Sequence, residues 1–129
     1  AIEFLNKKDE GFFLMVEGSQ IDWGGHHNDT RYLIEETLDF DQAIGEALKF
    51  AHSNGETLII VTADHETGGF AIVDGSFEGD TLRGGFASPN HTATMVPVFA
   101  YGPGAENFTG IMNNTDIFEK MLDLLINGR

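Results

Sequence analysis

Carboxylate and imidazole side chains occur in three separated segments of this 129-residue sequence. Asp22 and His26 are four residues apart, and one helical turn between them would bring both side chains to the same metal ion. Asp64 and His65 are adjacent, and His91 follows in a later segment. Aspartate oxygens and histidine nitrogens are both ligands of Zn²⁺ in proteins. The pattern therefore indicates metal binding by distant parts of the chain.

Each of these residues also has an ordinary structural explanation. Asp22 is a plausible cap of a short turn, and His26 is then an exposed loop histidine. Asp64 follows an apolar stretch, where a charged pair is hard to place in a core, but an aspartate can cap the next segment. His91 taken alone is an ordinary loop residue. Glu17 is either a solvated strand end or a carboxylate ligand for a hard cation such as Mg²⁺.

The elements predicted around these residues bring some of them together. Residues 12–16 and 57–63 are continuous apolar runs of strand length, the pattern of strands buried on both faces. Residues 30–52 carry apolar side chains at helical spacing and end at Asn54-Gly55. Strand, helix and strand in that order predict a right-handed unit with parallel strands. Glu17 and Asp64-His65 would then emerge at the same edge of the sheet, where α/β folds bind ligands.

The remaining segments complete an α/β pattern. Residues 70–73 predict a short strand, and residues 75–95, rich in Gly, Ser, Asn and Thr, predict a long loop that delivers His91. A further strand is expected at 96–101 and a final helix at 116–126, with Asn114 or Thr115 as its N-cap. Near the start, Ile2, Phe4 and Leu5 fit one face of a helix.

Composition limits the classes of function. Twenty-one acidic residues against seven basic ones give a formal charge of -14, which disfavours nucleic acid and anionic membranes as partners. The sequence has no cysteine, which excludes disulfides and a cysteine nucleophile within these residues. No apolar run approaches the roughly 20 residues of a membrane span. An acidic protein that handles an anionic substrate needs local cations, and bound metal ions supply them.

Taken together, the segments resemble the alkaline phosphatase family in order, sequence and approximate spacing. The resemblance covers nearly the whole chain, and it is carried by Val16-Glu17-Gly18, Ile21-Asp22, His26, Val61-Thr62-Ala63-Asp64-His65, His91-Thr92 and Ala100-Tyr101-Gly102-Pro103. It implies a first zinc site, a second zinc site and a magnesium site. In this chain the ligands of the first zinc would be Asp22, His26 and His91. Those of the second zinc would be Asp64 and His65, and Glu17 would bind the magnesium. Trp23 stands beside the magnesium site, where family members carry Lys, His or Trp.

The resemblance also implies a fold and an activity. The fold would be a three-layer α/β/α sandwich with a mostly parallel sheet, of which residues 1–129 form a single incomplete domain, the C-terminal part. The activity would be hydrolysis of phosphate monoesters by a periplasmic or extracellular enzyme, with a homodimer as one possible assembly. In the family a serine that follows an aspartate attacks phosphorus. The four serines here follow Gly18, His52, Gly75 and Ala87, so no catalytic nucleophile is assigned within the chain.

Two alternatives stay open from the sequence. Cofactor-independent phosphoglycerate mutases share a Thr-Ala-Asp-His stretch and a later His-Thr, although Val16-Glu17-Gly18 and Glu66-Thr67-Gly68-Gly69 favour the phosphatase. A non-catalytic fragment or pseudoenzyme is the alternative from a different class. An Asp-Ser or Asp-Thr segment in sequence upstream would distinguish an enzyme from a non-enzyme.

Overall fold

The computed structural model describes residues 1–7 and 10–127, and helices dominate the first half of that range. The helices are α1 (Ile2–Leu5), α2 (Gln20–His26), α3 (Thr30–Asn54) and α4 (Asn114–Asn127), with a 3-10 helix at Ala105–Phe108. The strands are β1 (Ile59–Thr62), β2 (Glu66–Thr67), β3 (Ala71–Ser76), β4 (Thr81–Gly85), β5 (His91–Thr92) and β6 (Val98–Tyr101).

The long helix α3 begins and ends where its sequence indicates. The side chain of Asp29 accepts a hydrogen bond from the Tyr32 amide at 3.0 Å and so caps the first turn. Gly55 ends the helix in the left-handed conformation, with φ 74°, and its amide bonds to the Ala51 carbonyl. The helix predicted over 30–52 is confirmed. On its surface Arg31 donates to Glu35 at 2.7 Å, which raises the pKa of Arg31.

Helix α2 packs closely against α3 at a glycine. Gly24 is buried, and a β-carbon at that position would lie 2.8 Å from the backbone of Leu33. A larger residue would therefore push the two helices apart. This contact fixes α2, and with it Asp22 and His26, relative to the longest helix of the chain.

Within residues 10–127, three two-stranded sheets follow, and all three are antiparallel. Strand β1 pairs with β6, β2 with β5, and β3 with β4. The strands predicted near 57–63 and 96–101 are confirmed as β1 and β6. The prediction of one long loop over 75–95 is wrong, because Thr81–Gly85 pairs with Ala71–Ser76 as a hairpin and His91–Thr92 pairs with β2. These polar and glycine-rich residues form strands because they pair with other strands, and the local sequence does not reveal that pairing.

The predicted parallel unit is also not formed among the described residues. Residues 12–16 lie outside every helix and strand, and β1 finds its partner in β6 instead. A strand needs a neighbouring strand to satisfy its amides and carbonyls, and residues 12–16 have no such neighbour among residues 1–7 and 10–127. Phe13, Met15 and Val16 are accordingly 67%, 78% and 60% exposed.

Close packing is confined to a few places in the described part of the chain. Ala51 on α3 and Phe108 in the 3-10 helix are buried, and Phe12 packs against Phe50 with ring centroids 6.3 Å apart. Within residues 1–7 and 10–127, none of the helices combines the length and apolar character that crossing a membrane requires. The coarse α/β character that the sequence predicts is thus present, with its sheets small and antiparallel.

Candidate metal centre

Asp22 and His26 lie one turn apart on α2, as their spacing predicts. The helix packs closely against β2 because Gly25, which is buried, has no side chain to keep them apart. A β-carbon on Gly25 would lie 2.8 Å from the carbonyl oxygen of Thr67. The end of α2 therefore sits directly against the strand that follows Asp64-His65.

His91 reaches the same place through the β2–β5 ladder. It pairs with Thr67, while its neighbour Thr92 pairs with Glu66. The amide of Gly68 donates to the Asn90 carbonyl at 3.0 Å and extends this contact beyond the ladder. His91 is thereby held opposite the C-terminal end of α2, although 65 residues separate it from His26.

Asp22, His26 and His91 converge with the spacing of ligands around one ion. His26 Nε2 lies 3.1 Å from His91 Nε2 and 3.4 Å from Asp22 Oδ2, and His91 Nε2 lies 3.5 Å from Asp22 Oδ1. A tetrahedral zinc ion with ligand distances of about 2.0–2.2 Å separates its ligand atoms by roughly 3.3–3.6 Å. One oxygen and two imidazole nitrogens are also a donor set that Zn²⁺ accepts. Residue type and geometry agree with a three-ligand zinc site that leaves one position open.

The protein backbone prepares His26 for this role. His26 Nδ1 lies 2.7 Å from the carbonyl oxygen of Pro89. A carbonyl oxygen only accepts, so Nδ1 must carry the proton of the neutral ring and Nε2 must carry the lone pair. Metal-binding histidines commonly make such a bond through their other ring nitrogen. The Nε2 atom that faces Asp22 and His91 is the one free to bind a cation.

Asp64 and His65 lie beside this cluster, and His65 contacts it. The His65 ring stacks on the His91 ring, with centroids 3.6 Å apart and planes 20° apart. Asp64 Oδ2 is 3.3 Å from His65 Nε2, and the Asp64 side chain is 87% exposed. Thr67 links the two groups, because its hydroxyl donates to Asp22 Oδ1 at 2.5 Å and lies 3.2 Å from His65 Nδ1. The two residues can contribute to an adjoining site, which they do not complete alone.

Glu17 and Trp23 are placed differently. Glu17 is exposed and lines a shallow groove with Gly18, Ser19, Gln20, Glu36, Asp39, Phe40 and Ala43. It does not join the three-ligand cluster. Trp23 is 53% exposed and its ring lies near those of His26 and His27, with centroids 6.5 and 6.2 Å away. These positions leave Glu17 and Trp23 as predictions for a magnesium site.

Sequence reasoning missed the residues that support the ligands. Thr67 and the Pro89 carbonyl bond to the two ligands on α2, and the Glu66–Thr92 bond joins β2 to β5. In the sequence, the stretch Glu66-Thr67-Gly68-Gly69 serves only to favour the phosphatase over the mutase. Its polar residues directly after Asp64-His65 were the available signal.

Comparison with known proteins identifies the family of the chain. A profile of the alkaline phosphatase family matches residues 1–84 and 82–126. Alkaline phosphatase 4 of Bacillus subtilis is 33% identical over the whole chain, and alkaline phosphatase H of Pseudomonas aeruginosa is 40% identical over 92% of it. The solved alkaline phosphatase of the Antarctic bacterium TAB5 is 51% identical over 97% of the chain, with a TM-score of 0.89. Two variants of the TAB5 enzyme have Mg bound in a site called M3.

The chain spans less than half the length of these relatives. It covers 42% of the Bacillus protein, 28% of the Pseudomonas protein and 38% of the TAB5 structure. The family profile matches in two segments, of which the first contains Asp22, His26, Asp64 and His65 and the second contains His91. On the family profile, the curated relatives and the solved structure together, the chain belongs to the alkaline phosphatase family.

Proposed function

We propose that this chain supplies the metal-ligand part of a phosphomonoester hydrolase. The observation that supports it best is the convergence of Asp22 Oδ, His26 Nε2 and His91 Nε2 within 3.1 to 3.5 Å of one another. Family membership supplies the reaction class, and the donor set suits zinc. Asp22, His26 and His91 would hold the first zinc ion. Zinc there supplies a Lewis acid for phosphoryl oxygens and lowers the pKa of bound water.

Asp64 and His65 would contribute to a second zinc site, and Glu17 to a magnesium site. The stacking of His65 on His91 supports a second cation close to the first. Two ions held by these residues would together neutralise the negative charge that develops during phosphoryl transfer. Glu17 offers the carboxylate oxygen that Mg²⁺ prefers. Both sites need ligands beyond those named here, and we propose that the complete protein provides them.

The residues of this chain would orient ligands and keep protons in place. The Pro89 carbonyl keeps the His26 proton on Nδ1, so that Nε2 stays available. The Thr67 hydroxyl donates to Asp22 Oδ1, which limits the rotation of that carboxylate. A chain with a net charge of -14 repels a phosphate dianion. Metal ions bound by these ligands would make the local charge positive and so favour binding of this substrate.

The rest of the proposal concerns the complete protein. We propose that the 129 residues form the C-terminal part of its catalytic domain and that the hydroxyl nucleophile comes from outside them. Residues 12–16 would be a buried strand of a mostly parallel sheet in a three-layer sandwich, which their exposed apolar side chains support. Location in the periplasm or outside the cell, and assembly as a homodimer, are further proposals that follow from the family.

A chimera tests the function. The segment of the TAB5 enzyme that matches this chain is replaced by the 129 residues, and hydrolysis of an aryl phosphate and bound zinc are measured. We expect the chimera to be active and His91→Ala to lower its kcat/KM by more than about 100-fold. This is a larger loss than the one expected when a residue that only hydrogen-bonds to a metal ligand is replaced. The matched control is His52→Ala, because His52 lies at the end of α3 and bonds to the Tyr101 hydroxyl. Equal zinc retention by the two variants would contradict the assignment.

A further inference from the structure

We propose that Glu66 is a positioning residue for His91, acting through the hydroxyl of Thr92. This inference rests on the proposed metal centre. Glu66 touches none of the three converging ligands, and its part would be to fix the strand that carries one of them.

Glu66 ties together two segments on the far side of the ladder. Its half-buried carboxylate accepts hydrogen bonds from the Gly69 amide at 2.8 and 3.1 Å and from the Phe70 amide at 3.4 Å. Its Oε2 atom also accepts a hydrogen bond from the Thr92 hydroxyl. One side chain thus contacts both the turn after β2 and strand β5.

The ladder itself is short, so its register is weakly determined by the backbone. Strands β2 and β5 have two residues each. Partners directly opposite each other in an antiparallel pair share a face, and successive residues face opposite sides. Glu66 and Thr92 therefore share one face, and Thr67 and His91 share the face towards Asp22 and His26.

A slip of one residue would turn His91 away from the other ligands. Such a slip moves every side chain of a strand to the opposite face. The Glu66–Thr92 bond pairs two side chains that meet only in the observed register. The bond is charge-assisted, and such bonds are roughly twice as strong as neutral ones. Glu66 and Thr92 would thereby keep the His91 imidazole on the ligand face.

The Gly68-Gly69 turn strengthens the same arrangement. Both glycines have positive φ, 90° and 59°, and Glu66 accepts the amide of the second. The carbonyl of Gly68 accepts the amides of Ala87 and Ser88 at 2.8 and 3.1 Å. The turn that Glu66 holds therefore also anchors the segment leading to His91.

The test is titration of the 129-residue chain with Co²⁺, followed by its visible absorption. We expect Glu66→Gln and Thr92→Val, which keep the shapes of the side chains, to weaken Co²⁺ binding about tenfold, the effect typical of lost outer partners. Their absorption at saturating Co²⁺ should also fall, because a displaced His91 changes the coordination geometry. Thr92→Ser keeps the hydroxyl and should stay within about threefold of the parent chain. Thr81→Val, an exposed threonine of β4, is the control and should change nothing.

The outcomes separate this inference from the metal centre on which it rests. If His91→Ala binds Co²⁺ as well as the parent chain does, both are wrong. If His91→Ala binds more weakly while Glu66→Gln and Thr92→Val match the parent in affinity and spectrum, the metal centre stands and the positioning role is wrong. A variant that loses its far-ultraviolet circular dichroism without metal shows a purely structural role and also overturns the positioning proposal.

Discussion

Two regions of this chain differ in how completely they are built from its own residues. In the metal-ligand region, residues 20–28, 64–70 and 85–92, hydrogen bonds join all three stretches. The Pro89 carbonyl bonds to His26, and Thr67 bonds to Asp22. In the apolar segment, residues 12–16, most side chains are exposed, and Phe12 has an aromatic contact with Phe50. Among residues 1–7 and 10–127, the first region is held by hydrogen bonds between its own stretches, whereas most side chains of the second are left exposed.

The difference indicates which segment lacks packing partners among the described residues. Polar groups of the metal-ligand region are satisfied by backbone and hydroxyl partners nearby in space. Adjacent exposed apolar side chains, by contrast, usually mark a surface that another part of a protein covers. Under the proposed function, the remainder of a complete alkaline phosphatase domain would be that cover. We therefore expect metal binding and catalysis to respond differently when the chain stands alone.

The largest expected effect is on turnover. The 129-residue chain alone should hydrolyse an aryl phosphate at least about 10³-fold more slowly than the TAB5 chimera, because loss of a nucleophile alone can remove 10⁶-fold. Steady-state assays with added Zn²⁺ and Mg²⁺ measure the ratio. Comparable rates for the chain and the chimera would show that the chain contains its own nucleophile and would remove the contrast between the two regions.

The next effect concerns the apolar segment directly. In the chimera, Met15→Ala should lower the free energy of unfolding by about 2–5 kcal/mol, as for a buried methionine. In the isolated chain the same change should cost less than about 0.5 kcal/mol, since Met15 is 78% exposed there. Urea denaturation measures both values.

Met95→Ala is the matched control, because Met95 is 76% exposed and lies outside the apolar segment. It should stay within about 0.5 kcal/mol of the parent in both proteins. Equal losses for Met15 and Met95 in the chimera would show that residues 12–16 are not a specially covered surface.

The smallest effect tests the packing of the metal-ligand region in the isolated chain. Gly25→Ala should lower the free energy of unfolding by about 1–3 kcal/mol, because the new β-carbon would lie 2.8 Å from the Thr67 carbonyl. Gly45→Ala on α3 has no atom within 4 Å of its new β-carbon and should raise stability by about 0.5–1 kcal/mol. If thermal or urea unfolding gives both changes the same sign, α2 and β2 are not in the tight contact described here.

Local signals predicted the elements that local contacts stabilise. Helix α3 was predictable because Asp29, Gly55 and the apolar spacing all act within a few residues of the helix. Strands β1 and β6 were predictable from their apolar runs. Strand β4 was not, because Gly84 and Gly85 are poor strand formers that the pairing with β3 nevertheless accommodates. A β-carbon on Gly84 would clash with the Phe70 ring, so a tertiary contact, and not strand propensity, explains the glycine at this position.

The direction of strand pairing was equally beyond the local sequence. A continuous apolar run indicates that both faces of a strand are buried, but it does not identify the strand with which it pairs. The run at 57–63 pairs with 98–101 in the antiparallel sense, and the run at 12–16 has no strand partner among the described residues. Hydrogen bonds between strands join residues that are far apart in sequence, so the tertiary structure determines which strands pair.

By itself, the sequence determined which side chains could bind metal ions and which family they indicate, since residue type and spacing carry that information. The helical spacing of Asp22 and His26 even placed these two side chains together. Only the tertiary structure brought His91 to them, fixed the proton of His26 through Pro89, and revealed Glu66 and Thr92 behind the ligand strand. Those contacts span 26 to 65 residues of chain, and such distances are closed by packing and strand pairing, which no short segment of sequence encodes.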